Sequence, residues 1–331
     1  MGRNDTCKLV IIQIVTLLIF LNHSFSQEKG IQKEPNLPPA YLLKANFKTQ
    51  VYYNYVLSDT TKIKRVYADS SVREFQRIIR YFLTIMQPDS PKDGFSKVEI
   101  SIDSINYRFI EGNKVYEFTN IETSNPNVFK FDDFQTYNIP MSMQFVIVYS
   151  PYGEVARIEG ERLLEKRAYI EQLKNSIPDS IWYYNWTDGL SDNRLKFIGD
   201  VIKLLYPVNP VYRDSVWYSP LELQIDGILI LDTVELRATG FINNKYTIIG
   251  KFVNPNLIPK KVKFYDIKTL SFPYKLTDSS GFLEQILSAG GLVQELNIKL
   301  QLTVEVGNPF IFKENITKNL HWEMVNSYRF K

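Results

Sequence analysis

Leu296-Asn-Ile-Lys-Leu-Gln-Leu-Thr-Val-Glu-Val306 decides the fold class. Its apolar side chains alternate without a break against Asn297, Lys299, Gln301, Thr303 and Glu305. Successive side chains of a strand point to opposite faces, so this segment has one dry face and one wet face. Gly290-Gly291 opens it and Gly307-Asn308-Pro309 closes it. A strand well beyond the usual five or six residues requires a sheet that coils strongly or curls toward a barrel.

Working outward, the same period recurs. Phe47, Val51, Tyr53, Tyr55 and Leu57 predict a first strand, turned at Asp59-Thr60-Thr61 and followed by a short Ile63–Tyr67 segment. Phe75, Ile79, Tyr81, Leu83 and Ile85 predict a second long strand, with Arg77 interrupting its apolar face. From Val98 the apolar phase runs through Ile100 and Ile102, then slips by one to Ile105, Tyr107 and Phe109. A slip would expose the core face unless the backbone absorbs it, which predicts a β-bulge near Ser104. Glu111 to Lys114 reads as a hairpin turn, and Asn120 to Pro140 as a long connection.

Ser150-Pro151-Tyr152-Gly153 reads as a type I turn between two strands, with proline's fixed φ and glycine's freedom each in the useful place. Glu161 to Ile177 carries a helical stripe, and a second helix runs from an N-cap at Ser191 to about Leu205. Between them lies Trp182-Tyr183-Tyr184-Asn185-Trp186, the densest aromatic cluster, read as an inter-helix loop. Strands follow at Trp217–Ile225, Ile228–Ala238, Lys245–Val253 and around Val262–Ile267. Phe282–Leu287 reads as strand or short helix, with strand favoured, and His321–Phe330 as a final edge strand.

The N-terminus predicts a signal peptide over residues 1–26: Arg3 and Lys8, an apolar run from Leu9 to Leu21, then Ser24-Phe25-Ser26. An uncleaved anchor is the alternative. Residues 27–40 read as a flexible leader, and 41–331 as a single β-rich domain with a helical insertion at about 161–206. The expected place is outside the cytoplasm, in a periplasm or on the outer cell surface. With 39 basic and 36 acidic residues the formal charge is +3, and loss of Arg3, Lys8 and Asp5 leaves +2, too near balance for a nucleic-acid partner.

The single cysteine, Cys7, lies in the signal, and His321 is the one histidine after it. That composition argues against His- or Cys-based nucleophilic catalysis, a zinc site or a cofactor, and the chain reads as a non-enzyme. Carboxylates at Asp132-Asp133, Glu154, Glu159 and Glu161 read as solvated or helix-start acids rather than a catalytic pair. Trp182, Tyr183, Tyr184 and Trp186 are candidate ligand contacts at a cavity mouth, weighed against simple packing of a loop. Arg77 reads either as a strand-end residue turned to water or as a buried charge awaiting a partner such as a lipid head group.

Phe145 to Trp217 resembles the central part of a family of exported bacterial proteins known as a domain of unknown function. The resemblance rests on Ser150-Pro151-Tyr152-Gly153, Ile158-Glu159-Gly160, Leu205-Tyr206-Pro207 and Asp214-Ser215-Val216-Trp217. These are turn and packing residues, so kinship implies a fold and no chemistry. A weaker likeness to lipoprotein-carrier folds of the bacterial envelope implies a curled sheet around helices and an apolar cavity.

The expected fold is therefore α+β and mainly antiparallel, a strongly curved sheet or half-barrel with two helices on its concave side. The expected partner is a lipid or other apolar ligand. The alternative is a structural or assembly component that contacts other envelope proteins. An outer-membrane barrel fits less well, because two amphipathic helices sit mid-chain, so membrane association should be peripheral at most.

Overall fold

The computed structural model describes residues 40–119, 136–141, 143–174, 180–225, 228–259 and 273–329. The stretch quoted first becomes the core of a strand, Val293–Val306, in which Leu296, Ile298, Leu300, Leu302, Val304 and Val306 are buried. The opposite face carries exposed Lys299 and Gln301.

Thirteen strands form one sheet, with antiparallel pairing throughout its ladders. In chain order they are β1 (Tyr52–Tyr67), β2 (Val72–Met86), β3 (Ser96–Glu111), β4 (Lys114–Thr119), β5 (Gln144–Tyr149) and β6 (Val155–Glu159). After the helices come β7 (Val216–Ile225), β8 (Ile228–Ile242), β9 (Lys245–Phe252), β10 (Asn256–Pro259), β11 (Tyr274–Ser288), β12 (Val293–Val306) and β13 (Ile311–Tyr328). Side by side the order is β7, β8, β9, β11, β12, β13, β1, β2, β3, β5, β6. Short β4 shares an edge of β3 with β5, and β10 shares an edge of β8 with β9, so thirteen strands fill eleven places.

Several sequence expectations change here. No turn occurs at Asp59-Thr60-Thr61: β1 runs straight through, and Asp59 and Thr61 face the core. Lys318 of β13 explains why, since its Nζ reaches Asp59 Oδ2 at 2.7 Å and Thr61 Oγ1 at 3.1 Å. The C-terminal strand is not an edge. β13 lies in the middle of the sheet, paired with β12 on one side and β1 on the other. Its alternation is disguised because Glu314 and Lys318 occupy buried positions, each paired with a charge from β1. Phe282–Leu287 is strand, inside β11, whereas Val262–Ile267 lies outside the described residues. The bulge is where the phase slip put it: the β2–β3 register shifts between Phe82 and Leu83, opposite Ser104 and Ile102.

The β5–β6 turn also forms as expected, Gly153 donating its N–H to Ser150 O at 3.0 Å with φ 86, a value that favours glycine. Beyond β6 come α1 (Glu161–Leu173), α2 (Ser180–Gly189) and α3 (Asp192–Gly199). The aromatic run is therefore not a loop but the body of α2. Tyr183 OH donates to Glu171 at 2.5 Å, linking α2 to α1, and Arg167 of α1 donates to Leu190 O and pairs with Asp192.

Ser191 caps α3 as expected, its Oγ accepting from Arg194 N. The helix stops at Gly199, six residues before the expected end. At Gly199 an added Cβ would lie 2.6 Å from Ile100 Cδ1, so the helix end sits directly on β3. Asp200 then turns the chain, its Oδ1 accepting from Ile202 N at 3.0 Å and Lys203 N at 3.2 Å.

Candidate functional site

Residues 200–206 form an irregular strap across the buried face of the sheet, and each contact has an identifiable donor. Tyr149 OH of β5 donates to Asp200 Oδ1 at 3.1 Å and accepts from Val201 N at 3.1 Å. Gln285 of β11 donates to Ile202 O at 3.3 Å, and Ser219 of β7 accepts from Leu205 N at 2.8 Å. Tyr206 OH donates to Gly291 O just before β12. Burial, reinforced by the Asp200 carboxylate, raises the pKa of both Tyr149 and Tyr206, so both phenols stay protonated as donors.

Lys203 sits at the strap's tightest point, with φ 64. Its Nζ donates to Phe197 O at 2.6 Å and lies 4.1 Å from the Trp322 ring centre. Burial lowers its pKa to about 8, against the opposing pull of Asp200.

Beside the strap opens a cavity of about 680 Å³. Its apolar lining comes from Val155 of β6, Phe197 of α3, Leu204 and Leu205 of the strap, Leu221 and Leu223 of β7, Ile298 of β12 and Leu320 of β13. Its polar lining includes Glu154, Lys196, Asp200, Lys203, Glu222 and Asp232. The volume falls within the roughly 300–1,000 Å³ of small-molecule pockets, and mixed walls with a few placed polar groups are their usual make-up.

The cavity also reveals the curvature of the sheet. Eleven strands laid flat, about 4.8 Å apart, would hold β6 and β7 roughly 50 Å from one another. Both of these outer strands nevertheless border the same space as β12 and β13 from the middle, so the sheet bends round on itself.

Of the expected contact residues, Arg77, Tyr183 and Trp186 do not line this cavity. The side chains of Trp182 and Tyr184 lie outside the described part of the structure. Arg77 is buried rather than turned to water, donating to Tyr137 OH at 2.9 Å and approaching Tyr107 OH at 3.4 Å. The cavity residues carried no sequence signal of their own. Phe197 and Lys203 belonged to an expected helix, and Asp232 to an expected strand; the feature that could have marked Asp232 is a lone acid directly after the apolar run Ile228–Leu231. Among the described residues no cluster of three or more His, Cys, Asp or Glu is placed to hold a metal, and no helix is long and apolar enough to cross a membrane.

No protein-family model matches the chain, and no curated protein does. The resemblance built on Ser150–Gly153 therefore rests on its motif residues alone. Among solved structures, the chain is similar to lipovitellin, in a structure described for its lipid–protein interactions, at 11% identity and a TM-score of 0.42. That match covers 86% of this chain but only 26% of the lipovitellin chain. An outer-membrane channel from Pseudomonas putida F1 aligns over 85% of this chain and 97% of its own, at 7% identity and a TM-score of 0.26. An outer-membrane lipoprotein-sorting protein domain from Vibrio parahaemolyticus aligns over 83% and 84%, at 10% identity and a TM-score of 0.13. None of these scores reaches the level of a shared fold, and no function is carried across from them.

Proposed function

We propose that this chain is an exported, non-enzymatic binding protein that holds a lipid or other apolar ligand inside its curled sheet. The observation that carries the reading is the 680 Å³ cavity, floored by Ile298 and Leu320 and walled by Leu204, Leu221 and Leu223. In this reading α1 and α3 lie on the concave side, and the strap leaves part of the hollow unfilled. The outward face of β12, with Lys299, Gln301 and Glu305, is polar, which is the reverse of a strand facing lipid and favours peripheral membrane contact. The role expected of Tyr183, Trp186 and Arg77 passes to the cavity residues, with Phe197 as its aromatic contact.

Protein purified from its own envelope and sprayed under native conditions should carry a co-purified apolar species. Leu223→Trp, which fills the space, should lose that species while keeping the wild-type circular dichroism spectrum. Consistently bare wild-type protein would overturn the proposal.

A second reading, an assembly component of the cell envelope, has its own observation. Among the described residues β6 and β7 each pair with one strand only, and Val216 and Tyr218 on β7 are exposed. Such an edge can accept a strand from another protein. Photocrosslinking from position 218 in cells would yield a defined protein adduct under this reading and none under the first.

A further inference from the structure

The charged residues around the cavity say what kind of head group the ligand carries. Four carboxylates, Glu154, Asp200, Glu222 and Asp232, border the space against two ammonium groups, Lys196 and Lys203. Asp200 Oδ1 accepts from Tyr149 OH, Ile202 N and Lys203 N, and Lys203 is held by the Phe197 carbonyl and the Trp322 ring.

Asp232 is different. It is 6% exposed, and its Oδ1 accepts from Thr233 N at 2.6 Å and Asn254 N at 2.8 Å. Among the described residues its buried Oδ2 has no hydrogen-bond partner, and no cation pairs with the carboxylate. The register sets Asp232 opposite Leu221, so its side chain belongs to the same sheet face as Leu221 and Leu223 of the apolar wall. A buried carboxylate without a counter-charge is costly, and an incoming cation offsets that cost.

We infer that the ligand is a single-chain amphiphile with an amine head, its ammonium donating to Asp232 Oδ2 and its tail lying along Leu221, Leu223, Ile298 and Leu320. This rests on the apolar-ligand reading. A carboxylate head in the same place would meet Asp232 and be repelled, with Glu154 and Glu222 bordering the same space. An amine head gains a charge-assisted hydrogen bond in a site of low dielectric.

The test uses the full chain and three probes with the same twelve-carbon tail: dodecylamine, dodecanol and dodecanoate, titrated calorimetrically at pH 7. Dodecylamine should bind about tenfold or more tighter than dodecanoate, the margin expected of one charge-assisted hydrogen bond. Asp232→Asn, which keeps the Oδ1 contacts, should remove most of that margin, while dodecanol, whose uncharged hydroxyl can pair with either side chain, should change by less than about twofold. If Asp232→Asn does not fold, Glu222→Gln should narrow the same margin by about twofold, the weaker effect of a half-exposed charge. Equal or reversed preference, or a margin that neither variant changes, overturns the amine assignment while dodecanol binding keeps the apolar reading intact. Failure of all three probes to bind removes both.

Discussion

Two groups of charges lie on the buried face of this sheet, and they are treated in opposite ways. In the middle, between β1 and β13, Lys318 meets Asp59 and Thr61, and Arg65 meets Glu314 at 2.7 Å. All four charged side chains are nearly inaccessible, and each is answered by the neighbouring strand. Beside the strap, Asp232 is as deeply buried, but among the described residues no cation answers it and its Oδ2 stays without a donor. Charges matched across a ladder are architecture. Charges left incomplete beside a space are available to something that enters it.

The largest expected effect comes from breaking the matched set. Lys318→Met leaves Asp59 buried and uncompensated, which should cost about 3–5 kcal/mol in urea unfolding. Pairing it with Asp59→Leu should recover nearly all of that, since replacing a whole buried pair is often neutral or better. A double variant as weak as the single one would place the cost in packing instead of charge.

Next, the floor and the cavity should answer differently to added bulk. Leu300→Trp, in the floor at a position that does not border the cavity, should destabilise by about 1–3 kcal/mol through overpacking. Leu223→Trp has the cavity to grow into and should cost clearly less in the same melt.

Lys203 supplies a pH test of smaller size. Its folded pKa of about 8 lies below the ordinary 10.5, so between those values the unfolded chain holds a proton that the folded chain has released. Stability from this group therefore rises as pH climbs from 8 to 10.5, and below pH 8 the burial cost is fully present. The stability of wild type relative to Lys203→Met, followed by thermal melts across that range, should rise steadily toward high pH. A constant difference would mean that the lysine is not desolvated. The smallest effect belongs to the solvent-exposed pair of Lys62 and Glu74, 3.2 Å apart, where Lys62→Ala should change stability by less than about 1 kcal/mol.

The same contrast explains what the sequence made legible. β2 and β12 were readable because every core-facing position but one or none is apolar, and the phase slip near Ser104 was readable because it falls between two clean runs. β13 was half lost because Glu314 and Lys318 break its alternation, and β1 was cut at Asp59 for the same reason. Each strand hid the partner that makes the other intelligible, and a single chain read in order gives no sign that positions 59 and 318 meet. Helix ends were legible where a side chain marks them, as at Ser191, and not where tertiary contact does, as where Gly199 seats against Ile100 and Phe145. The cavity was expected in kind but not in place, because its walls come from both outer strands and the middle of the sheet. Only the long-range order of strands brings them to one spot.

That order also has a consequence in time. The seam joining β1 to β13 connects residues 259 positions apart, so the centre of the finished sheet is the last part that a chain emerging N-terminus first can zip. Until then the β1–β2 hairpin presents a bare edge to whatever is nearby, a known route to mispairing. How safely a molecule matures is thus governed by how soon its final eighteen-residue strand is delivered.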